Sequence, residues 1–117
     1  MTISKDQAAR IIHAALEYLN MFQGNEYPLW DEMSVSEREM FVEGVNWIFT
    51  TPGITPEEAH VFWQQSKEAA GWTYGPIKNY ATKQHPSIRP FAQLPVDEQV
   101  KDTLFIEMVR ALSPIVR

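Results

Sequence analysis

The chain has 117 residues, 44% of them hydrophobic and 21% charged, which fits one folded domain long enough to bury a core. Its 15 acidic residues outnumber its 10 basic residues, and the net charge of −5 excludes a protein that coats nucleic acid through a general basic footprint. It has no cysteine, which excludes a disulfide framework, a thiolate nucleophile and a zinc ribbon and favours a reducing, cytoplasmic setting.

The first predicted element is a helix over about residues 5–22. Ser4 followed three positions later by Gln7 is a capping box. Apolar residues then recur at helical spacing, at Ile12, Ala15, Leu16, Leu19 and Phe22. The segment has neither the continuous apolar run of a signal peptide nor the roughly 20 apolar residues of a membrane span. We therefore expect no membrane partner.

A second helix is predicted over roughly residues 35–50, capped by Ser34 and Glu37. Its apolar residues occupy one stripe of Phe41, Val45, Ile48 and Phe49 and another of Met40, Gly44 and Trp47. Because both sides are apolar, this is predicted to be the central helix, with Trp30 packing into the core beside it.

The third helix has the strongest start signal in the chain. Thr55 supplies the cap, Pro56 the first helical position and Glu58 the capping-box carboxylate. The helix is predicted to run to residue 70.

The segment of residues 71–95, GWTYGPIKNYATKQHPSIRPFAQLP, contains bases but no acidic residue, and we call it the basic segment. Gly71 suits the left-handed position that follows a helix, and Trp72 suits the apolar contact that often accompanies it. Four residue–proline pairs forbid a long helix across the segment, so an ordered or mobile loop is predicted.

The last helix is predicted to begin near Pro95 and to end at Ser113 and Pro114. Its predicted buried side consists of Val100, Leu104, Phe105, Met108, Val109 and Leu112. The four helices and the long loop between the third and fourth predict an all-α fold, as a single domain over residues 1–117.

Several short motifs follow one another in the second half of the chain. They are HVFW from His60 to Trp63, GWTYG at 71–75, Lys78, Lys83, HPSIRPF at 85–91, LP at 94–95 and KD at 101–102. This pattern resembles the ryanodine-receptor repeat (RyR) domain family over about residues 60–112. The helical half, residues 1–55, more weakly resembles the leader of short single-copy versions from phages and bacteria.

The resemblance implies a small helical module without known catalysis. For prokaryotic relatives it further implies recognition of a nucleotide-derived small molecule, often in phage–host conflict. A phage-encoded protein of this type would act in the cytoplasm of its bacterial host. These implications rest on analogy between folds.

Charge is distributed unevenly along the chain. Residues 1–68 contain 11 acids and 4 bases, whereas residues 69–117 contain 4 acids and 6 bases. On the third helix, His60, Trp63 and Lys67 form one stripe. The neighbouring stripe of Ala59, Phe62, Ser66 and Ala70 is the more apolar one. The first stripe is therefore expected to border a surface cleft.

These features suggest a binding surface with an aromatic floor and basic edges. The predicted floor, which would stack on a flat ligand, consists of Trp63, Trp72 and Tyr74, with His60 beside it. The residues predicted to meet anionic groups are Lys67, Lys78, Lys83, His85 and Arg89. The alternative is plain packing, in which the tryptophans pin the loop to the core and the lysines are solvated.

Other chemistries lack their motifs. Each predicted helix start already carries acidic residues, so a phosphate would need side-chain cations. The five glycines form neither GxGxxG nor a P-loop, the three histidines lie on separate elements, and no GxSxG elbow occurs. No catalytic residue, metal or cofactor is predicted.

The leading hypothesis is non-enzymatic capture of an anionic, nucleotide-like small molecule. The alternative is a protein-interaction or dimerisation module that uses the same loop, with a homodimer covering Phe91 or Leu94.

Overall fold

The computed structural model describes residues 1–117 and has four α-helices. They are α1 (Lys5–Phe22), α2 (Val35–Thr50), α3 (Pro56–Ala69) and α4 (Val96–Leu112). The only other regular elements are two strands of two residues each and three single turns of 3-10 helix. The predicted all-α class, with an extended connection between the third and fourth helices, is confirmed. None of the helices combines the length and apolar character needed to cross a bilayer.

The first three helices begin where their capping boxes predict. At α1 the Ser4 hydroxyl accepts from the backbone N–H of Gln7 at 3.1 Å, and the Gln7 side chain accepts from the Ser4 N–H at 2.8 Å. Reciprocal pairs of the same kind start α2, from Ser34, and α3, from Thr55. Each pair satisfies two backbone donors that the first helical turn leaves without partners.

The chain divides into two units. Unit 1 comprises residues 1–52 and 105–117, and unit 2 comprises residues 53–104. Helix α4 begins in unit 2 and ends in unit 1.

The core of unit 1 includes a buried histidine among aromatic rings. His13 contacts the rings of Tyr27, Trp30 and Phe41 at centroid distances of 5.0, 5.4 and 5.5 Å. Phe41 in turn meets Phe105 edge-on at 5.5 Å. Burial lowers the pKa of His13, so the neutral imidazole acts as one more ring in this cluster. Trp30, which was predicted to pack into the core, contacts this cluster but is itself only half-buried.

The predicted buried side of the last helix is partly wrong. Ile106 and Val109 are the buried residues of α4, whereas Val100 is 52% exposed. The remaining predicted residues, Leu104, Phe105, Met108 and Leu112, are half-buried. Both buried residues lie in the part of α4 that belongs to unit 1, and the part that belongs to unit 2 has no fully buried residue.

Helix α3 ends as predicted. The N–H of Gly71 donates to the carbonyl oxygen of Glu68, and that of Trp72 donates to Lys67, both at 3.0 Å. Gly71 has a φ of +91°, in the left-handed region that favours glycine. These two bonds form a Schellman motif, which satisfies two of the last helical carbonyls.

The basic segment is ordered by a short parallel strand pair. Strand β1 (Thr73–Tyr74) lies beside β2 (Gln84–His85), with Thr73 opposite Gln84 and Tyr74 opposite His85. In the connection between them, the Asn79 side-chain oxygen accepts from the N–H groups of Ala81 and Thr82, at 2.9 and 3.2 Å. The connection is thus a hydrogen-bonded turn.

The end of the basic segment packs inward. Leu94 is 6% exposed, so the expectation that it needs a dimer partner to cover it is wrong. The Gln99 side-chain amide of α4 donates to the carbonyl oxygens of Phe91 and Leu94, at 3.2 and 3.0 Å. These bonds join the segment to the first turns of α4 within unit 2.

Candidate functional site

All nine sequence-predicted site residues lie in unit 2, but they do not form one surface. Four of them form a cluster of contacting rings, in which His60 and Trp72 are buried and Trp63 and His85 are half-buried. Tyr74 and Arg89 lie on an open groove, Lys67 and Lys78 lie over aromatic rings, and Lys83 lies at a helix end.

His60 is the buried residue of α3, with 3% of its surface exposed. The expectation that it borders a surface cleft is therefore wrong. Its Nε2 lies 2.8 Å from the carbonyl oxygen of Arg89 and donates to it, because a carbonyl can only accept. The bond explains the burial: a polar ring can enter the interior when its donor is satisfied.

The other imidazole nitrogen faces a carboxyl group. Nδ1 of His60 lies 3.7 Å from Oδ2 of Asp102 on α4. Burial raises the pKa of Asp102 to about 7, and the charge of Glu98 adds to the rise while that of Lys101 opposes it. At 3.7 Å the two atoms lie beyond hydrogen-bond range, so Asp102 is a close electrostatic neighbour of the ring and not its hydrogen-bond partner.

Trp63 and His85, both half-buried, extend the ring contacts of His60. Trp63 stacks on His60 at 5.4 Å and meets the ring of His85 edge-on at 5.0 Å. The Nδ1 of His85 accepts from the N–H of Ser87 at 3.0 Å. Burial lowers the pKa of His85 to about 4, with smaller contributions from nearby positive charges. His85 is therefore neutral at pH 7 and does not supply the positive charge expected from the sequence.

Trp72 packs in the interior with one cation, that of Lys67, over its ring. It is 8% exposed and meets the ring of Tyr80 edge-on at 5.4 Å. The ammonium group of Lys67 lies 5.2 Å from the centre of the Trp72 ring, and that of Lys78 lies 5.1 Å from the centre of the Tyr80 ring. Both distances are those of cation–π contacts. Trp72 has no open face on which a flat ligand could stack.

Lys83 has a structural role at the end of α3. Its ammonium group donates to the carbonyl oxygen of Ala70, the C-cap residue, at 2.8 Å. A cation at this position also interacts favourably with the negative end of the helix. Lys83 itself has a φ of +53°, which is uncommon outside glycine, so this contact accompanies a constrained backbone.

The remaining two residues, Tyr74 and Arg89, line a groove of about 500 Å³, which we call the Tyr74–Arg89 groove. Tyr74 is 52% exposed. The other polar residues of the lining are Gln64, Glu68, Thr73 and Gln93. The Nε of Arg89 is buried and has no hydrogen-bond partner. Such a donor costs free energy when it stays unpaired, so an acceptor placed here would be stabilising.

The RyR domain family model matches residues 53–114. The chain belongs to the RyR domain family. The matched region of this RyR domain begins at the first residue of unit 2 and includes both the Tyr74–Arg89 groove and the His60–Asp102 pair. The resemblance inferred from the sequence motifs is confirmed.

Sequence reasoning missed several residues of the RyR domain. Gln64 and Gln93 carry no recognisable motif, and Lys101 and Asp102 contributed to the resemblance without a predicted role. One signal was present: Gln64 and Glu68 are spaced i, i+4 and so share a helix face beside the basic segment. Lys101 pairs with Glu98 at i, i+3 spacing, whereas His60, the neighbour of Asp102, is distant in sequence and could not be found in the same way.

Unit 1 has a groove of its own, of about 570 Å³. Its charged lining residues are Asp6, Arg10, Arg38, Glu39 and Glu43. Acids outnumber bases in this set, so the groove suits an anionic ligand less well than the one in the RyR-matched region.

Proposed function

We propose that the Tyr74–Arg89 groove binds a small anionic molecule that carries a planar ring, of the nucleotide-derived class, and that it does so without catalysing a reaction. The observation that carries the proposal is the buried, unpartnered Nε of Arg89, a residue that lines an open groove. An anionic oxygen is the acceptor that a guanidinium binds most strongly.

The ring of Tyr74 supports the choice of a planar ligand. It is half-exposed on the groove, and stacking of a base on an aromatic side chain contributes roughly 1 to 3 kcal/mol. The side-chain amides of Gln64 and Gln93 each offer donors and an acceptor, which suit the edge of a heterocycle. Glu68 adds an acceptor for ring or sugar donors.

Family membership gives the proposal its biological setting. For prokaryotic relatives the resemblance implies recognition of a nucleotide-derived small molecule, often in phage–host conflict, which agrees with the ligand class proposed here. The same role, in the cytoplasm of a bacterial host, is proposed for this chain.

Titration calorimetry and thermal shift with a panel of nucleoside monophosphates, cyclic dinucleotides and adenosine-diphosphate-ribose derivatives test the proposal. We expect at least one member to bind and to raise Tm, since ligand at 100 times Kd stabilises by about 2.7 kcal/mol. Tyr74→Ala and Arg89→Gln should each weaken binding by about tenfold or more. Tyr18→Ala, at an exposed tyrosine outside the groove, is the matched control and should bind normally.

Absence of binding by every member, or unchanged affinity of both groove variants, would count against the proposal. The non-catalytic part is tested separately by chromatography of the bound ligand after long incubation. We expect to recover the intact ligand. A new product would show that the protein catalyses a reaction.

A second candidate function is docking of a protein or a second copy through the basic segment. It is favoured by Ile77, an apolar side chain that is 75% exposed within the segment. Light scattering of the wild type and Ile77→Ser across a concentration series tests it. A dimer that Ile77→Ser dissociates would support this candidate, and a monomer at all concentrations would exclude self-association.

A further inference from the structure

Helix α1 has two apolar sides, and only one of them is buried. The side that faces the core of unit 1 carries the buried residues of the helix, which include Ile12 and Leu16. The opposite side is also apolar but is exposed over three turns. Its residues, which we call the outer stripe, are Ile11, Ala14, Ala15, Tyr18, Met21 and Phe22.

The outer stripe is a continuous surface rather than a scatter of exposed side chains. Each of its members lies three or four residues from another, so neighbours along the stripe are adjacent on the helix. Phe22 is 91% exposed, and the other three large side chains of the stripe are each at least 49% exposed. Single exposed apolar residues are ordinary on a protein surface, whereas a contiguous exposed patch marks an interaction site.

One edge of the outer stripe carries two opposite charges. Arg10 and Glu17 are seven residues apart, which is close to two helical turns, so they lie on the same edge about 10 Å apart along the axis. In a second copy of the helix that runs antiparallel, the order of the charges is reversed, and each Arg10 then faces Glu17 of the other copy. A parallel copy would instead place Arg10 opposite Arg10. The charges therefore complement an antiparallel second copy.

The apolar residues fit the same arrangement. Ala14 and Ala15 lie close to the midpoint between Arg10 and Glu17, where two antiparallel copies would cross, and their small side chains allow a short distance between the helix axes. Ile11 of one copy then meets Tyr18 of the other, because the two residues are equally far from the crossing point. The same surface thus serves both copies, as in other two-fold interfaces.

The charges of α1 favour a protein over a lipid surface as the occupant. Helices that lie on anionic membranes have polar faces rich in lysine and arginine. Helix α1 contains two bases, Lys5 and Arg10, and two acids, Asp6 and Glu17, so it has no excess of positive charge.

We propose that the outer stripe is the interface of a homodimer, in which α1 packs antiparallel against α1 of a second copy of this chain. The interface includes no residue of the Tyr74–Arg89 groove or of the basic segment, so it does not depend on the functions proposed for them. Three helical turns per copy form a small interface, so the dimer is weak and its population rises with protein concentration.

Sedimentation velocity over a concentration series that reaches the millimolar range measures the association. We expect the wild type to dimerise and Tyr18→Ser to weaken the dimer at least tenfold, since it removes a central apolar contact. Val61→Ser, at an exposed apolar residue of α3, is the matched control and should dimerise normally. A monomer at every concentration would overturn the proposal, as would equal effects of the two substitutions.

Charge reversal tests the pairing of the stripe edges. Arg10→Glu alone, or Glu17→Arg alone, brings like charges together twice in each dimer and should weaken it by about tenfold. The double variant restores opposite charges and should recover most of the wild-type affinity. A double variant that is as weak as the two single variants would overturn the antiparallel pairing.

Disulfide crosslinking tests the direction of the helices, because the chain has no cysteine of its own. Two copies of residue 14 meet near the two-fold axis, so Ala14→Cys should form a crosslinked dimer under mild oxidation. Two copies of residue 21 lie about 20 Å apart in the same dimer, so Met21→Cys should not crosslink. Crosslinking of both variants would indicate a parallel pair, and crosslinking of neither would indicate a different interface.

A lipid surface is the other occupant that the experiments distinguish. The wild type is sedimented with vesicles of phosphatidylcholine, with and without phosphatidylglycerol. We expect it to stay in the supernatant with both. A protein that is monomeric in solution and sediments with either vesicle, but not after Tyr18→Ser, would assign the outer stripe to a membrane surface and overturn the homodimer.

Discussion

His60 connects Asp102 to Arg89: its Nδ1 lies 3.7 Å from the carboxyl of Asp102, and its Nε2 donates to the backbone carbonyl of Arg89 at 2.8 Å. The side chain of Arg89 lines the Tyr74–Arg89 groove. Protonation of Asp102 on α4 is therefore linked to the lining of the groove through two contacts, those of His60 with Asp102 and with Arg89.

The raised pKa of Asp102 makes stability depend on pH. Between about pH 4 and 7 the folded protein holds a proton that the unfolded chain has released, so this contribution to stability is lost as the pH rises. Asp102→Asn removes the dependence. The quantity to compare is the free energy of unfolding of Asp102→Asn minus that of the wild type. This difference should be about 2 kcal/mol larger at pH 8 than at pH 5. Urea denaturation at the two pH values measures this.

His85 acts in the opposite direction, because its lowered pKa means that stability is lost as the pH falls from about 6.5 to 4. Because His85 is present in both the wild type and the Asp102→Asn variant, its contribution cancels when the two are compared. Asp97→Asn, at an exposed acid in the first turn of the same helix, is the control. An Asp102→Asn effect that is the same at both pH values would contradict the assignment.

Replacing His60 by phenylalanine keeps a ring against Trp63 but removes the donor to the Arg89 carbonyl. A buried acceptor without a partner costs about 1 to 3 kcal/mol, so His60→Phe should lower the free energy of unfolding by that amount. His60→Gln retains an N–H donor and should lose less. Denaturant titrations of both variants give the comparison, and equal losses would show that the ring alone matters.

Gly75 is required by a close approach of the backbone to Gln84. A Cβ at position 75 would lie 2.6 Å from the Cβ of Gln84, so Gly75→Ala should destabilise the protein by about 1 to 3 kcal/mol. Removing the opposing side chain with Gln84→Gly should recover part of this loss. A double-mutant cycle on the free energy of unfolding measures the coupling, and strictly additive effects would argue against the clash.

Lys83 stabilises the end of α3 rather than a ligand in this structure. Lys83→Met removes the hydrogen bond to Ala70 and should lower the free energy of unfolding by about 0.5 to 1.5 kcal/mol. The affinity for any ligand of the Tyr74–Arg89 groove should stay unchanged. Lys5→Met is the matched exposed lysine. A stable Lys83→Met variant that loses ligand affinity would instead show that Lys83 contributes to ligand binding.

Local chemistry made most of the helical fold predictable. Capping residues such as Ser4 and Thr55 act within four residues of the backbone groups they satisfy, and Gly71 acts through its own φ. The β1–β2 pair was not predicted, because two residues per strand are too few to display an alternating pattern. Their pairing depends on backbone bonds between segments about ten residues apart, such as that from Thr73 to Lys83.

The site was less predictable for the same reason. The partner of His60 is 29 positions away in sequence, so the periodicity of α3 could not show that a polar ring is buried. Basic residues that look alike in sequence also separate in space: Lys83 caps a helix, Lys78 lies over a ring, and Arg89 lines a groove. Residue type predicted the region, and only tertiary contacts distinguish these three roles.

Helix α4 limits how the family-matched region can be isolated. The match runs to residue 114, whereas unit 2 ends at Leu104, so a fragment of residues 53–114 would keep the second half of α4 without the rest of unit 1. Phe105 would lose its contact with Phe41, and the side of the helix bearing Val109 would meet water. Such a fragment would be prone to aggregation, because residues 1–52 would no longer cover this apolar side of the helix.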